Sequence, residues 1–570
     1  MMKNSKLVLL AFVLLVNIFT TQAQVITNNS SVKDILESRG EIYFRFPVST
    51  SGNNVMDKVS VDKVKDGYVY AYASASQFSE FLKAKSNYEV LTAPSLLNPD
   101  AIVMASALAD MQNWDKYPVY DLYIQMMKKF ATDYPAICKL DTIGFSKNNR
   151  AIIALKISDS VQYDQSEPEF FYTATIHGDE TTGYILMLRL ADYLLSNYGT
   201  NSRINSIVNN MEIWISPLAN PDGTFKISNS TIVGSVRYNA NSIDLNRNFP
   251  DPRAGDHPDG NQWQPENIAM MNFAGLHNFT MSANLHGGAE LINYPFDTWA
   301  AATKTHADDT WWSQISRAYA DTAHANSVTG YLTDESNGIT NGGTWYVITG
   351  GRQDYMNWWQ KCREVTMELS TDKTLSSSLL PAYWNYNYKS LLNYLEEARF
   401  GIHGVVTDSV TCLPLKVRVF INNHDRDSSH VYSTALNGDY HRPVLAGTYS
   451  VTFSVPGYNS KTISNVSVQN HQTNNLNVQL TQSSSGINTA NQFDYQLYPN
   501  PANDKIIVKI SNPVKWIRIY DLLGNLIYEQ NGEQESSVYT INTGQWMTGI
   551  YSILLESSDS VYSSKFVVLH

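Results

Sequence analysis

Three cysteines in 570 residues, Cys138, Cys362 and Cys412, are too few for a disulfide framework, so packing must hold this chain together. Charge is scarce as well: Asp, Glu, Lys and Arg make up 16%, with 41 basic against 53 acidic residues and a formal net charge of -12. No basic block occurs, which excludes nucleic acid as a partner, because phosphate recognition needs clustered Lys and Arg. Beyond the N-terminus no stretch is long and apolar enough to span a bilayer. Aromatic residues, by contrast, reach 12% and supply enough apolar area to exclude disorder for the bulk of the chain. At about 150 residues per domain, the length predicts three or four domains.

At the N-terminus Lys3 and Lys6 precede an apolar run from Leu7 to Phe19, broken only by Asn17 and followed by Thr21-Gln22-Ala23. This pattern reads as a secretory signal peptide over residues 1–23. The run is shorter than the roughly 20 residues of a spanning helix, so the mature form is expected to carry no integral membrane span and to be secreted or held at the cell surface.

Residues 24–110 contain no histidine and alternate short β-like runs, Glu41 to Val48 and Tyr68 to Tyr72, with a helix-like piece from Phe78 to Lys85, which predicts a small α+β module. From there to residue 398 the units lengthen. Tyr123, Met127, Phe130 and Tyr134 share one face of an amphipathic helix, and Tyr184 to Leu195 is a second helical stretch. Strand-like runs recur at Phe170 to Ile176, Met211 to Ser216, Met281 to Leu285 and Glu364 to Leu369, so this region is read as α/β, a mixed sheet layered with helices. Residues 399–481 are short alternating segments with turn signals at Asn437-Gly438 and Pro456-Gly457, a β-sandwich. Residues 482–492 are an uncharged linker, and 493–570 a second β-sandwich.

His177-Gly-Asp-Glu180 directly follows the strand-like run ending at Ile176. A His and a Glu at this spacing arise by chance about 0.4 times in such a chain, so the pair decides nothing alone. His286, in Ser-Ala-Asn-Leu-His-Gly-Gly at the end of another strand-like run, adds a third ligand. Two imidazoles and one carboxylate suit a Zn²⁺ site that keeps a coordination position open, the catalytic arrangement.

His177 to Gly183, Pro217 to Gly223, Asp244 to Asp251, Ser282 to Asp297, Gly338 to Tyr346 and Glu364 to Ser370 together resemble the ordered signatures of the M14 zinc carboxypeptidases, within them the regulatory branch of carboxypeptidases D, E, N and M. The resemblance implies one Zn²⁺ per catalytic domain on His177, Glu180 and His286, with Glu368 as general base. Arg237 matches the arginine that polarises the scissile carbonyl, and Tyr346 the tyrosine that caps the bound C-terminal residue. Asn246 and Arg247 match the clamp for the substrate's free carboxylate, a role that suits planar guanidinium. Asp297 matches the acid of the specificity pocket in members that remove C-terminal Arg or Lys, and Gln353 its polar neighbour. Two departures stand out: Asp179, where the family often has Asn, and Thr371, where the branch often has Cys.

The flanking segments carry resemblances too. Residues 399–481 resemble the transthyretin-like sandwich of the same branch; its His403, His424, His430, His441 and His471 fit no ligand spacing and are expected at the surface. Tyr498-Pro-Asn-Pro501, Tyr520 to Gly524, Gly549-Ile-Tyr551 and Lys565 to Val568 make the C-terminal segment similar to the sorting domain of the type IX secretion system, which implies export machinery as a partner. Residues 24–110 resemble a propeptide of metallocarboxypeptidases. The expected activity is hydrolysis of C-terminal peptide bonds in peptides or proteins. Its rivals are action on cell-wall peptides, with diaminopimelate in the pocket, and an inactive surface-binding homologue.

Overall fold

The computed structural model describes residues 31–48, 53–56, 58–84, 86–483, 495–510, 514–521, 524–532, 538–556 and 561–570. The expected signal peptide and nearly all of the linker lie outside the described residues. The chain separates at Gln482 into two compact units.

The larger unit is built on a mixed eight-stranded sheet of β1 (Cys138–Phe145), β2 (Ala151–Ile157), β3 (Glu169–Ala174), β4 (Glu212–Ser216), β5 (Phe279–His286), β6 (Glu290–Tyr294), β7 (Ile339–Asn341) and β8 (Arg363–Leu369), in the order β7-β6-β8-β5-β3-β4-β2-β1. Every residue of β4, β5 and β8 is buried, as central strands covered on both faces must be. One face packs against helices Tyr120–Asp133, Thr182–Asn197, Asp309–His324 and Leu380–Glu396, the other against Pro265–Leu276 and Arg352–Trp358. The helices expected around Tyr123 and Tyr184 are both present: the first starts earlier, at Tyr120, and stops at Asp133, leaving Tyr134 as its non-helical cap, and the second extends two residues at each end.

β5 pairs in parallel with both β3 and β8, so three carboxyl ends lie side by side. The His177 loop follows β3, His286 is the last residue of β5, and Glu368 is its ladder partner on β8. In an open α/β sheet this edge is where ligands bind. Sequence-distant motifs meet here because parallel strands carry their chemistry at the same end.

The N-terminal module is a four-stranded sheet with helix Ala75–Lys83 on one face, where Phe44, Phe46, Phe78 and Phe81 form its core. Strand alternation sends Tyr43 and Tyr72 to the opposite face, which packs on Tyr238 of the α/β domain. Residues 401 to 482 form two four-stranded sheets around an aliphatic core, and the smaller unit holds a three-stranded and a four-stranded sheet. The architecture is therefore a mixed α/β catalytic domain with a small α+β module before it and β-rich domains after it.

Two of the five sandwich histidines depart from the expected surface placement. His403 and His441 are ladder partners and are buried, with their Nδ1 atoms 2.9 Å apart and His441 Nε2 3.0 Å from Asp439. Residue type alone could not show which sheet face would be covered. His424 is half-buried against Asp308 at 2.7 Å, and Asp308, His424 and Asp425 are close enough to hold an ion. Arginine already supplies that charge: Arg442 lies 2.8 Å from Asp308 and 2.5 Å from Asp425, and Arg363 lies 3.0 Å from Asp308.

Candidate active site

His177, Glu180 and His286 converge, buried, at the carboxyl edge of the sheet. His177 Nδ1 is 3.0 Å from Glu180 Oε1, His286 Nδ1 is 2.7 Å from Glu180 Oε2, and the two Nδ1 atoms are 3.1 Å apart. Each ring is held by its far nitrogen: His177 Nε2 lies 3.1 Å from Asp244 and His286 Nε2 lies 2.8 Å from the Asn284 amide. A proton on His177 Nε2, donated to Asp244, leaves the Nδ1 lone pair free for a metal. Burial pushes the His286 imidazole down to about 4, so it is neutral at pH 7. Against its own burial, Glu180 is held well below the usual carboxylate range by His177, Lys373 and His286, and stays an anion. Two imidazoles and one carboxylate, with ligand atoms all within 4.8 Å of one another, form a set that could hold a Zn²⁺ ion.

The turn that carries this set is tight. A side chain at Gly178 would stand 2.3 Å from the carbonyl carbon of Gly223, backbone against backbone, so the close approach requires glycine there.

Glu368 lines the same cavity, nine-tenths buried. Burial first, and then the charge of Glu180, push it well above the usual carboxylate range; Lys373 and Arg237 oppose. A carboxyl group whose proton affinity is raised in this way suits general acid–base chemistry. Its strand neighbour Glu364 is buried behind it, paired with Arg352 at 2.9 Å and accepting from Ser282 at 2.7 Å.

Arg237 donates from Nε to Asp244 at 3.0 Å and reaches Glu180 at 3.4 Å. Asn246 and Arg247 sit in a short 3-10 turn, where the backbone N–H of Arg352 donates to Asn246 Oδ1 at 2.8 Å and Arg247 donates to the Asn246 carbonyl. Tyr346 lines the cavity half-buried, and burial raises its phenol strongly.

At the closed end lies Asp297, accepting from Asn293 at 2.9 Å and from Gln353 at 3.1 Å. Asp354 accepts the backbone N–H groups of Asp297 and Thr298, which fixes the turn. Burial pushes Asp297 up to about 6, opposed by the Asn293 hydrogen bond and by Arg247. All ten residues expected at the site come together: nine line one cavity, and Gln353 joins through Asp297.

Several groups were not singled out in the sequence. Asp244, inside the quoted Asp244 to Asp251 run, orients His177 and binds Arg237. Lys373, just beyond the Glu364 to Ser370 run, lies 2.7 Å from Glu180. The departure at Asp179 has a partner, since Tyr72 of the N-terminal module donates to it at 2.7 Å.

A family model described as zinc carboxypeptidase matches residues 123–390. Carboxypeptidase M of Mus musculus is 35% identical over 346 residues, 59% of this chain and 77% of that protein. The chain belongs to the zinc carboxypeptidase family. The carboxypeptidase N catalytic chain of Mus musculus is 33% identical over 382 residues, covering 60% of this chain and 81% of that protein. Carboxypeptidase D of Mus musculus is 35% identical over 377 residues, 64% of this chain, and the match spans about a quarter (27%) of that longer relative. Around the zinc carboxypeptidase region, a carboxypeptidase regulatory-like domain matches residues 401–481 and a secretion system C-terminal sorting domain matches 496–569. No helix among the described residues is long and apolar enough to cross a membrane.

Proposed function

We propose that this chain is an exported zinc carboxypeptidase that hydrolyses the last peptide bond of peptides or proteins, preferring C-terminal Arg or Lys. The convergence of His177, Glu180 and His286 beside a buried Glu368 carries the reading. A Zn²⁺ held there would lower the pKa of a bound water toward about 7 and polarise the scissile carbonyl. Glu368 takes the proton of the attacking water and returns it to the leaving amine. Arg237 donates to the carbonyl oxygen as negative charge develops, a contribution of about 3 to 4 kcal/mol for such a donor. Asn246 and Arg247 bind the free carboxylate, Tyr346 closes over the terminal residue, and Asp297 with Gln353 receives its cationic side chain. A buried carboxylate disfavours Phe or Leu, which would leave it unpaired.

An intact set of reacting groups is poor support for an inactive binding homologue. An amine-bearing diaminopimelate side chain would also suit Asp297, so cell-wall peptides remain the second reading of the same pocket. Release of free Arg from a peptide pair ending in Arg or Phe should favour Arg, stop with a chelator, and fall about 10² to 10⁴-fold in Glu368→Gln with zinc retained. Activity that survives both treatments would refute the mechanism, and faster release of Phe would refute Asp297 as the specificity residue.

The sorting-domain match supports export, with the expected domain boundaries of 24–110, 111–398 and 399–481 preceding a linker and the exported tail.

A further inference from the structure

The N-terminal module reaches the metal ligands through a layer of polar contacts. Ser60 donates to Asp244 at 2.7 Å, Tyr72 donates to Asp179 at 2.7 Å, and Asp62 lines the active-site cavity itself. Asp62 Oδ1 lies 2.8 Å from Lys373 Nζ, and its Oδ2 accepts from Tyr43 at 2.9 Å. Lys373 in turn lies 2.7 Å from Glu180 Oε1 and donates to the Gly287 carbonyl at 3.2 Å. Lys373 and Asp62 are both buried, each with a side chain only 3% exposed. In contact with this ammonium are Asp62 from the module, Glu180 from the loop after β3 and the Gly287 carbonyl after β5; Asp179 and Arg237 act on it from farther away, and the Tyr72 ring lies 5.6 Å off.

We propose that the N-terminal module is a permanent part of the metal site, with Asp62 a positioning residue that holds Lys373 so that Glu180 is free to bind zinc. A buried ammonium beside Glu180 competes with a dication for the same carboxylate. Asp62 supplies the compensating charge and a second acceptor, so Lys373 stays satisfied by Asp62 and Gly287 when Glu180 turns to the metal. Remove that carboxylate, and the one carboxylate still in contact with the cation among the described residues is the ligand itself. Outer partners of this kind tune metal affinity by about 10 to 100-fold.

The same contacts argue against a removable plug. Both Asp62 oxygens are spent on Lys373 and Tyr43. Asn246 and Arg247, proposed to hold the substrate carboxylate, bond among the described residues to Asp244, to Arg352 and to each other, with no direct hydrogen bond to the module. The module therefore buttresses the ligands and leaves the carboxylate clamp open.

The inference rests on the zinc reading of this site, and its test uses metal binding as the readout. Zinc affinity of the full chain would be measured by competition with a chelating dye for the wild type, Asp62→Asn, Asp62→Glu and the double variant Asp62→Asn/Lys373→Met. Asp62→Asn should weaken zinc about 10 to 100-fold. Asp62→Glu, which keeps the charge, and the double variant, which removes the competing cation, should both return most of that loss. Unchanged affinity in Asp62→Asn, or no recovery in the double variant, overturns the proposal. Should Asp62→Asn fail to fold, an engineered protease site in the exposed run from Leu96 to Asp100 provides the second measurement. Weaker zinc after cutting supports the proposal, whereas unchanged zinc with increased activity shows an inhibitor and overturns it. A wild-type chain that binds no zinc refutes the peptidase reading and this inference together, while equal tight binding in wild type and Asp62→Asn refutes this inference alone.

Discussion

If Asp297 receives the terminal side chain, as proposed, one buried carboxylate would link specificity to pH. Burial raises it to about 6, above the ordinary Asp value, because the anion loses water that Asn293 and Gln353 only partly replace. The anion prevails above that value and the neutral acid below it, so attraction for a cationic side chain is lost as pH falls through about 6. The ratio of kcat/KM for C-terminal Arg over C-terminal Leu should therefore drop, approaching roughly tenfold per pH unit on the acid side. A ratio that stays flat across this range would exclude Asp297 as the group that reads charge. Comparing two substrates cancels the titration of Glu368, which affects both alike.

Between elements, a buried electrostatic joint forms at Asp308, the residue before helix Asp309–His324. It receives Arg363 from the first position of β8, and Arg442 and His424 from the sandwich, with all but His424 fully buried. Although burial opposes ionisation, Arg442 and Arg363 hold Asp308 well below the usual range. Replacing one partner strands the other charges, so Asp308→Asn should cost about 3 to 5 kcal/mol, read as a lower melting temperature near neutral pH. The sign of the pH dependence follows from the depressed value. The stabilisation is present above the unfolded Asp value near 4 and is lost as pH falls through the folded one, so wild type and variant should converge in strong acid. A constant gap would show that lost packing, not charge, accounts for the effect. This joint ties the regulatory-like domain to the strand that carries Glu368.

Over the whole molecule, the division at Gln482 separates one unit holding the site from a C-terminal unit with its own core of Ile506, Val508, Ile517, Ile519 and Ile553. A unit with its own core is expected to fold without the larger unit. Deleting residues 496–570 should therefore leave zinc affinity and melting behaviour of the larger unit intact while its appearance outside the cell ceases. Undiminished export of the truncated chain would dispose of the sorting role.

The sequence by itself determined the motif chemistry and the position of each motif on the fold. His177, His286 and Glu368 stand at or just beyond strand ends, and period-2 and helical patterns are local properties that one segment carries alone. Strand and helix bounds shift by a few residues where caps and packing set the ends. Tertiary structure decided what depends on which segments cover one another. It buried His403 and His441, made Asp308 an anchor between domains, gave Asp179 its partner in Tyr72, and brought Asp62 to Lys373 from a module that resembles a propeptide. Burial, together with neighbours both near in sequence, such as His177 and Asn293, and distant, such as Lys373 and Arg247, sets the ionisation of Glu180, Glu368 and Asp297. Among the described residues, buried charge gathers at the candidate metal site and again around Asp308, groupings that only the folded chain brings together.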